Sequence, residues 1–290
     1  MIVPEAMYCG RQFSGGEIGL IRRIIAEDPR RTREDIAKIV CHMLGWYKPD
    51  GGLKSMSCKV ALLRMHEDTL ITLPPPRQRN GNGRVLIQYT LATEPDTPTD
   101  VSVGELSELS LELVANKKES YLWNEYIARY HYLGYTPLPG AQLRYFAVSK
   151  GQLLGLMGFG ASAWKVEPRD TFIGWSDEQR RRNLHLVVNN ARFLILPWVT
   201  SKNLASKLLA MAAKRLPDDW QQRYKYSPVL LETFVEIHRF RGTCYKAANW
   251  ISVGKTKGRG KCDVKNTANL PVKDIWLYPL VKSFRNILCS

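Results

Sequence analysis

An acidic stretch divides this chain into two parts that are patterned differently. Residues 91–112 contain six acidic side chains and no lysine or arginine, and residues 93–99 are rich in proline and threonine. Like charges repel one another and favour an extended chain, so this stretch is predicted to be a linker. The chain of 290 residues is therefore predicted to form one domain over 1–90 and a second over 113–290.

The first part is predicted to contain three helices followed by a hairpin. Ser14 and Glu17 have the spacing of a capping box, and a second helix is predicted to start at Thr32. The third helix is predicted to turn one apolar face inward, formed by Leu53, Met56, Val60 and Leu63. Two short strands, at 70–73 and 85–89, are predicted to flank the turn sequence at 80–83.

Three short helices and a basic hairpin are typical of a winged helix-turn-helix, whose third helix enters the major groove of DNA. The candidate DNA contacts on the third helix and on the wing are polar or basic, and are Lys54, Ser57, Lys59, Arg64, Arg77 and Arg79. The alternative is a three-helix core with a solvated basic face.

The second part alternates between helical and strand patterns. Residues 120–133 and 203–216 are predicted as helices, and 143–149 with 153–159 as a hairpin. Residues 190–196 and 229–235 are apolar runs typical of buried strands. The fold class is therefore predicted to be α+β, with an N-terminal winged helix-turn-helix followed by a mixed-sheet domain.

The charge of the chain indicates a polyanionic partner. Lysine and arginine number 42 against 27 acidic residues, which gives a net charge of +15. DNA, including single-stranded DNA, is the expected partner. No apolar run is long enough to span a membrane and the N-terminus has no signal-peptide pattern, so a cytoplasmic protein without a membrane partner is expected. The six cysteines include no C-x-x-C pair, and neither a metal nor a cofactor is expected.

Residues 237–261 concentrate this charge, with seven basic side chains and no acidic one. They also contain His238 and Tyr245, and Glu232 precedes them on a predicted strand. A histidine or glutamate base beside a tyrosine hydroxyl has the parts for attack on a phosphodiester, so these three residues are the candidate catalytic group. The alternative is that Tyr245 is a core aromatic and His238 a loop residue. His131 is a further candidate for lining the site.

The candidate DNA contacts of the second part are basic, amide or aromatic side chains. Basic groups would hold phosphates, and aromatic rings would stack on bases. They are Arg180, Arg192, Arg239, Arg241, Lys246, Asn249, Trp250, Lys255, Lys257, Arg259 and Lys261.

Three segments carry a resemblance to a known family. They are LKSMSCKVALLRM at 53–65, IGWSDEQRRRNLHLVVNNARFLILPWVTSKNLASKLL at 173–209, and the basic stretch at 237–261. Together they resemble the A protein of the Druantia anti-phage systems, a domain that also occurs beside transposons. The resemblance implies an association with foreign or mobile DNA and with other proteins of the defence system.

The second part also resembles the N-acetyltransferase fold, which implies a central strand at 193–197 followed by a helix at 203–216. That family binds coenzyme A with a loop of the form Gln/Arg-x-x-Gly-x-Gly/Ala. This chain has Thr200, Asn203 and Ala205 at the corresponding places. The fold is therefore expected without coenzyme A binding.

These observations lead to one functional hypothesis and two alternatives. The hypothesis is a DNA-binding protein of anti-phage defence or mobile elements that cleaves or transfers single-stranded DNA through Tyr245. The first alternative is a recognition module without catalytic activity that recruits helicase or nuclease partners. The second is an acyltransferase.

Overall fold

A computed structural model of the protein describes residues 5–77, 87–259 and 270–290. The chain divides into two units, Met1–Val85 and Leu86–Ser290. Part of the stretch that was predicted as a linker is regular structure of the second unit, since it contains a short 3₁₀ turn, Leu91–Thr93, and two strands.

The first unit begins with a hairpin that the sequence did not indicate, β1 (Ala6–Tyr8) and β2 (Arg11–Phe13). Helices α1 (Gly15–Glu27), α2 (Arg33–Met43) and α3 (Ser55–Glu67) follow. The predicted starts of the first two helices are confirmed. Ser14 and Thr32 are N-caps, each in a complete capping box in which its side chain and the third helical residue satisfy otherwise free backbone N–H groups.

The predicted inward face of α3 is wrong. Met56 is 66% exposed, and Val60 and Leu63 are also exposed. The buried face lies on another side of the helix and consists of Cys58, Ala61, Leu62 and Met65. Apolar residues occur on both sides of α3, so spacing alone does not select the side that packs.

The winged helix is not shown. Residues 70–73, predicted as its first strand, form no strand. The turn and the start of the second predicted strand fall within 78–86, outside the described residues, and so does Arg79.

The second unit is built on a mixed sheet of seven strands in the order β10-β11-β9-β7-β6-β5-β4. The strands are β4 (Ser110–Leu113), β5 (Leu143–Ser149), β6 (Gln152–Ala161), β7 (Val187–Ile195), β9 (Leu230–Glu236), β10 (Ile251–Lys255) and β11 (Lys273–Pro279). The predicted hairpin is confirmed as β5–β6. Only β7 and β9 pair in parallel among these neighbours. A separate small pair joins β3 (Thr99–Asp100) to β8 (Val199–Thr200).

Helices cover both faces of this sheet. They are α4 (Lys117–Tyr130), α5 (Glu167–Ile173), α6 (Asp177–Asn183), α7 (Leu204–Tyr224), α8 (Thr243–Ala247) and α9 (Phe284–Leu288). Successive side chains of a strand point to opposite faces. On β9, Leu231 and Val235 join the core that contains α7 and α8, whereas Leu230 joins the core that contains α5 and α9. We call these the α7 face and the α5 face.

Candidate nucleic-acid interface

The basic part of the chain near its C-terminus is carried by regular elements. We define the basic segment as residues 239–259, which hold the loop after β9, helix α8 and strand β10. Its charged side chains are exposed and are Arg239, Arg241, Lys246, Lys255, Lys257 and Arg259. Asn249 is also exposed. Lys261 lies outside the described residues.

Acidic partners compensate only part of this charge. Lys257 forms an ion pair with Glu167, and Arg239 lies 3.9 Å from a carboxylate oxygen of Glu236. No other ion pair to the segment occurs in the described part of the chain. Four exposed cations, Arg241, Lys246, Lys255 and Arg259, therefore face solvent without a carboxylate partner there.

Buried aromatic rings anchor the basic segment. Tyr245 and Trp250 are 7% and 4% exposed, and their ring centroids lie 5.1 Å apart. Gly242 has φ of +66°, and a Cβ at this position would lie 2.8 Å from the ring of Trp276. The loop therefore requires glycine, both for its left-handed backbone and for the close approach of the ring. Trp250 was predicted to stack on bases, but its ring is enclosed by the core.

Tyr245 does not have the environment of a nucleophile. Its hydroxyl donates a hydrogen bond to Asn190 Oδ1 at 3.0 Å, and Thr233 Oγ1 lies 3.5 Å away. Burial raises the pKa of Tyr245 above its ordinary value of 10.0, because the phenolate would be taken out of water. The hydroxyl is thus neutral, satisfied and enclosed, as the core-aromatic alternative requires.

The other two candidate catalytic residues lie apart from this hydroxyl. Glu232 precedes Thr233 on β9, so its side chain points to the α5 face while Thr233 points towards Tyr245. There Glu232 accepts hydrogen bonds of 2.8 Å from Arg169 and from the Ala163 N–H. His238 is exposed in the loop after β9. The structure does not assemble the predicted group of three.

Glu232 belongs to a buried ionic network that sequence reasoning missed. Burial raises the pKa of Glu232, and the charge of fully buried Arg169 opposes that rise. Arg169 also contacts Asp170 at 2.8 Å, and Asp170 lies 3.9 Å from Arg180. Arg180 was predicted to contact DNA. It is 4% exposed and pairs with Asp177 at 2.5 Å, so its charge is already used within the fold.

A β-bulge in β7 sets the direction of Arg192. The pairing of β6 with β7 shifts between Gly158, opposite Arg192, and Phe159, opposite Asn190, which leaves Ala191 as the extra residue. Asn190 reaches Tyr245 on the α7 face. An extra residue reverses the alternation that follows it. Arg192 therefore lies on the α5 face, where a Cβ on Gly158 would meet both Arg192 and Trp123.

Next to this bulge, β7 and β9 diverge. Their parallel pairing covers Val187–Asn189 of β7 and Leu230–Glu232 of β9, although both strands continue. Beyond that point the link is made by side chains, since Thr233 Oγ1 donates to the Asn190 carbonyl at 3.0 Å.

Cationic and aromatic groups surround Arg192 on this side. Its guanidinium donates 2.8 Å hydrogen bonds to Ala191 O and Thr136 Oγ1, and burial lowers its pKa. His131, directly after α4, is 9% exposed. Burial, followed by the charges of Arg192 and Lys273, lowers the pKa of His131 to about 4. Sequence patterns gave no signal for Lys273 or Thr136.

The predicted DNA contacts of the first unit show mixed environments. Arg64 and Arg77 are exposed, while Lys54 and Ser57 are partly buried. Lys59 forms an ion pair with Glu34 on α2. Arg77 donates to the carbonyl of Arg30 at 3.3 Å.

No cluster of three or more histidine, cysteine or acidic side chains in the described residues is placed to hold a metal ion. Among the helices of the same residues, none is long and apolar enough to cross a membrane.

Comparisons with known proteins link the chain to one family. The family model described as Druantia protein DruA matches residues 65–269. No curated protein matches the chain.

Several solved structures are similar to part of the chain. An aminoglycoside acetyltransferase in complex with coenzyme A is 15% identical, with 59% of this chain and 95% of that one covered and a TM-score of 0.40. An N-acetyltransferase from Staphylococcus aureus is 14% identical, with coverage of 59% and 99% and a TM-score of 0.36. A polyamine N-acetyltransferase from Drosophila melanogaster is 10% identical, with coverage of 59% and 100% and a TM-score of 0.37.

Proposed function

The chain belongs to the DruA family of Druantia defence proteins, and on that basis we propose that it binds nucleic acid through the basic segment. The role is recognition of the phosphate backbone. It corresponds to the recognition-module alternative derived from the sequence, in which other proteins supply the chemistry.

The observation that carries this proposal is the set of four exposed cations without carboxylate partners in the described residues: Arg241, Lys246, Lys255 and Arg259. Like charges held on one segment repel each other, and a polyanion relieves that repulsion. Because buried rings fix α8 and β10, the protein loses few degrees of freedom when a nucleic-acid strand binds. The gain on binding comes mainly from the release of counterions from the phosphates.

Cleavage through Tyr245 has less support than recognition. A phosphotyrosine intermediate requires the hydroxyl oxygen to reach a phosphorus atom. In this fold that oxygen is occupied by Asn190 and lies beneath buried rings. The residue instead stabilises the segment that carries the cations.

A comparison of two variants tests the proposal. The first replaces Arg241, Lys246, Lys255 and Arg259 with glutamine. The second removes four charges from exposed lysines on and next to α4 and α7, namely Lys118, Lys202, Lys207 and Lys214. Affinity for single- and double-stranded oligonucleotides is measured at one fixed salt concentration.

We expect the first variant to lose at least about tenfold in affinity and the control to lose much less, because only the first removes the phosphate-binding groups. Equal losses would show that net charge alone governs binding. Undetectable binding by the unaltered protein would refute the proposal.

Acyl transfer is the second alternative, and it rests on the resemblance of the second part to the N-acetyltransferase fold. Thr200, Asn203 and Ala205 stand where that family's coenzyme A loop has its usual residues. We therefore expect acetyl coenzyme A to leave the melting temperature unchanged, whereas a ligand that binds the folded state would raise it by mass action. A saturable increase at micromolar concentration would put acyl transfer first.

A further inference from the structure

We propose that Arg192, Lys273 and His131 form a site for the terminal phosphate of a nucleic-acid strand. The choice of a strand as the ligand rests on the proposed function. The site itself is inferred from the α5 face of the second unit, next to the divergence of β7 and β9.

A chain of contacts places these groups together. Arg192 is joined to the segment after α4 through Thr136, at 2.8 Å. Tyr132 of that segment stacks on His131 with centroids 4.9 Å apart, and the guanidinium of Arg239 lies 4.8 Å from the centre of its ring. Arg239 approaches Glu236, which pairs across the sheet with Lys273. These contacts connect Arg192, His131 and Lys273 through the segment after α4 and the end of β9.

The charge of this cluster is unbalanced. Neither Arg192 nor Lys273 forms an ion pair with any carboxylate in the described residues. Glu236 is the acidic group in the cluster, and the cation within 4 Å of it is Arg239. For partly buried Arg192 the absence of a carboxylate is costly, because burial disfavours its charged form. An anion would offset that cost.

Donors of the cluster that lack an acceptor among the described residues have the chemistry that phosphate oxygens require. Arg192 Nε is buried and has no hydrogen-bond partner among the described residues. His131 Nδ1 accepts from the Leu133 N–H at 3.2 Å, which places the proton of the neutral ring on Nε2. Lys273 adds an ammonium group. Phosphate oxygens accept strong hydrogen bonds from groups of this kind.

A terminal phosphate suits the cluster better than an internal one. A monoester carries about −1.5 to −2 charges near neutral pH, which matches the two cations, whereas an internal diester carries about −1. The end of a nucleic-acid strand can also enter a partly buried site by itself, whereas an internal phosphate would enter with the chain continuing on both sides. Arg239 belongs both to the basic segment and to this cluster, so one strand can follow the segment and end at Arg192.

The first experiment compares three forms of one single-stranded oligonucleotide, with a 5′-phosphate, with a 3′-phosphate and with neither. We expect one phosphorylated form to bind roughly tenfold or more tightly than the unphosphorylated form, as a hydrogen-bonded charge pair provides. Arg192→Gln and Lys273→Gln should each remove that preference. Lys207→Gln, an exposed lysine on α7, should retain it.

The second experiment uses inorganic phosphate and follows the ring nitrogens of the five histidines by NMR. We expect saturable shifts at His131 that Lys273→Gln weakens, with His238 and His185 unaffected. Lys273→Gln changes the side chain at the start of β11, an interior strand, and keeps the backbone pairing. Arg192→Lys retains the charge but not the planar guanidinium donors. It is the second variant to be measured if Arg192→Gln does not fold.

The two experiments separate the inference from the proposed function. Equal affinity for all three oligonucleotides, with no His131 shift in phosphate, would overturn the terminal-phosphate site while leaving backbone recognition intact. No oligonucleotide binding together with a His131 shift would refute the proposed function and leave a phosphate site for a small ligand.

Discussion

Tyr245 helps to hold β7 in the shape that orients Arg192. In sequence it stands among cations and near a histidine, as a nucleophile for phosphodiester attack would. In the fold its hydroxyl lies between β7 and β9 and bonds to Asn190, whose amide also donates to Arg192 O at 3.1 Å across the bulge. The hydroxyl therefore helps to fix the bulge that orients Arg192.

Tyr245→Phe should lower the free energy of unfolding by about 1–3 kcal/mol, because it leaves the buried Asn190 oxygen without a donor. Oligonucleotide affinity should stay within about twofold, since affinity rests on the exposed cations. Urea unfolding and a binding titration measure the two effects. Tyr121→Phe, at a tyrosine that is 59% exposed, is the control and should leave stability unchanged. A covalent DNA adduct formed by the unaltered protein and absent from Tyr245→Phe would contradict the structural role.

His131 should make stability depend on pH. Its folded pKa of about 4 is below the ordinary 6.5, so the neutral ring stabilises the fold. That contribution is complete above pH 6.5 and is lost as the pH falls towards 4. The free energy of unfolding should therefore fall by about 2 kcal/mol between pH 7 and pH 5.

His131→Asn keeps an acceptor for the Leu133 N–H and does not titrate. Its free energy of unfolding should fall less between pH 7 and 5 than that of the unaltered protein. His238→Asn, at an exposed position, should retain the full pH dependence. Identical pH profiles for His131→Asn and the unaltered protein would show that the ring is solvated.

Among the secondary-structure elements, features set by neighbouring residues could be predicted from the sequence. Features set by tertiary contacts could not. The capping residues of α1 and α2 act on neighbouring N–H groups, so the sequence predicts those helix starts. The buried face of α3 depends on which neighbours cover it. The partner of Glu232 is Arg169, which is 63 residues away, and no spacing rule connects the two. The bulge at Ala191 depends on register with β6, so alternation could not show where Arg192 points.

The loop from β9 to α8 provides an element-scale prediction. Gly242 and Gly174 both have positive φ, of +66° and +85°, but only Gly242 has a ring against its Cβ position. Gly242→Ala should destabilise the protein more than Gly174→Ala, because it adds a clash with Trp276 to the same backbone strain. It should also weaken oligonucleotide binding by displacing the basic segment. Equal melting temperatures for the two variants would contradict the anchoring role of Trp276.

Across the whole molecule, composition predicts the kind of ligand, and the fold shows which of the described cations are exposed and lack an ion pair. A net charge of +15 predicts a polyanion from sequence alone. Net charge does not distinguish Arg180, which is paired and buried, from Arg241, which is exposed. Ion pairing decides which cations remain for a ligand. The match to the Druantia protein DruA family over residues 65–269 confirms the family resemblance seen in the sequence.

The most direct test of backbone recognition is the salt dependence of oligonucleotide affinity, measured for the unaltered protein and for the variant with Arg241, Lys246, Lys255 and Arg259 changed to glutamine. For single strands each neutralised phosphate contributes a slope of about −0.7 in log affinity against log salt. We expect the variant's slope to be shallower by roughly 3, because four phosphates are no longer neutralised. A slope that is unchanged in the variant, or near zero in the unaltered protein, would contradict the assignment.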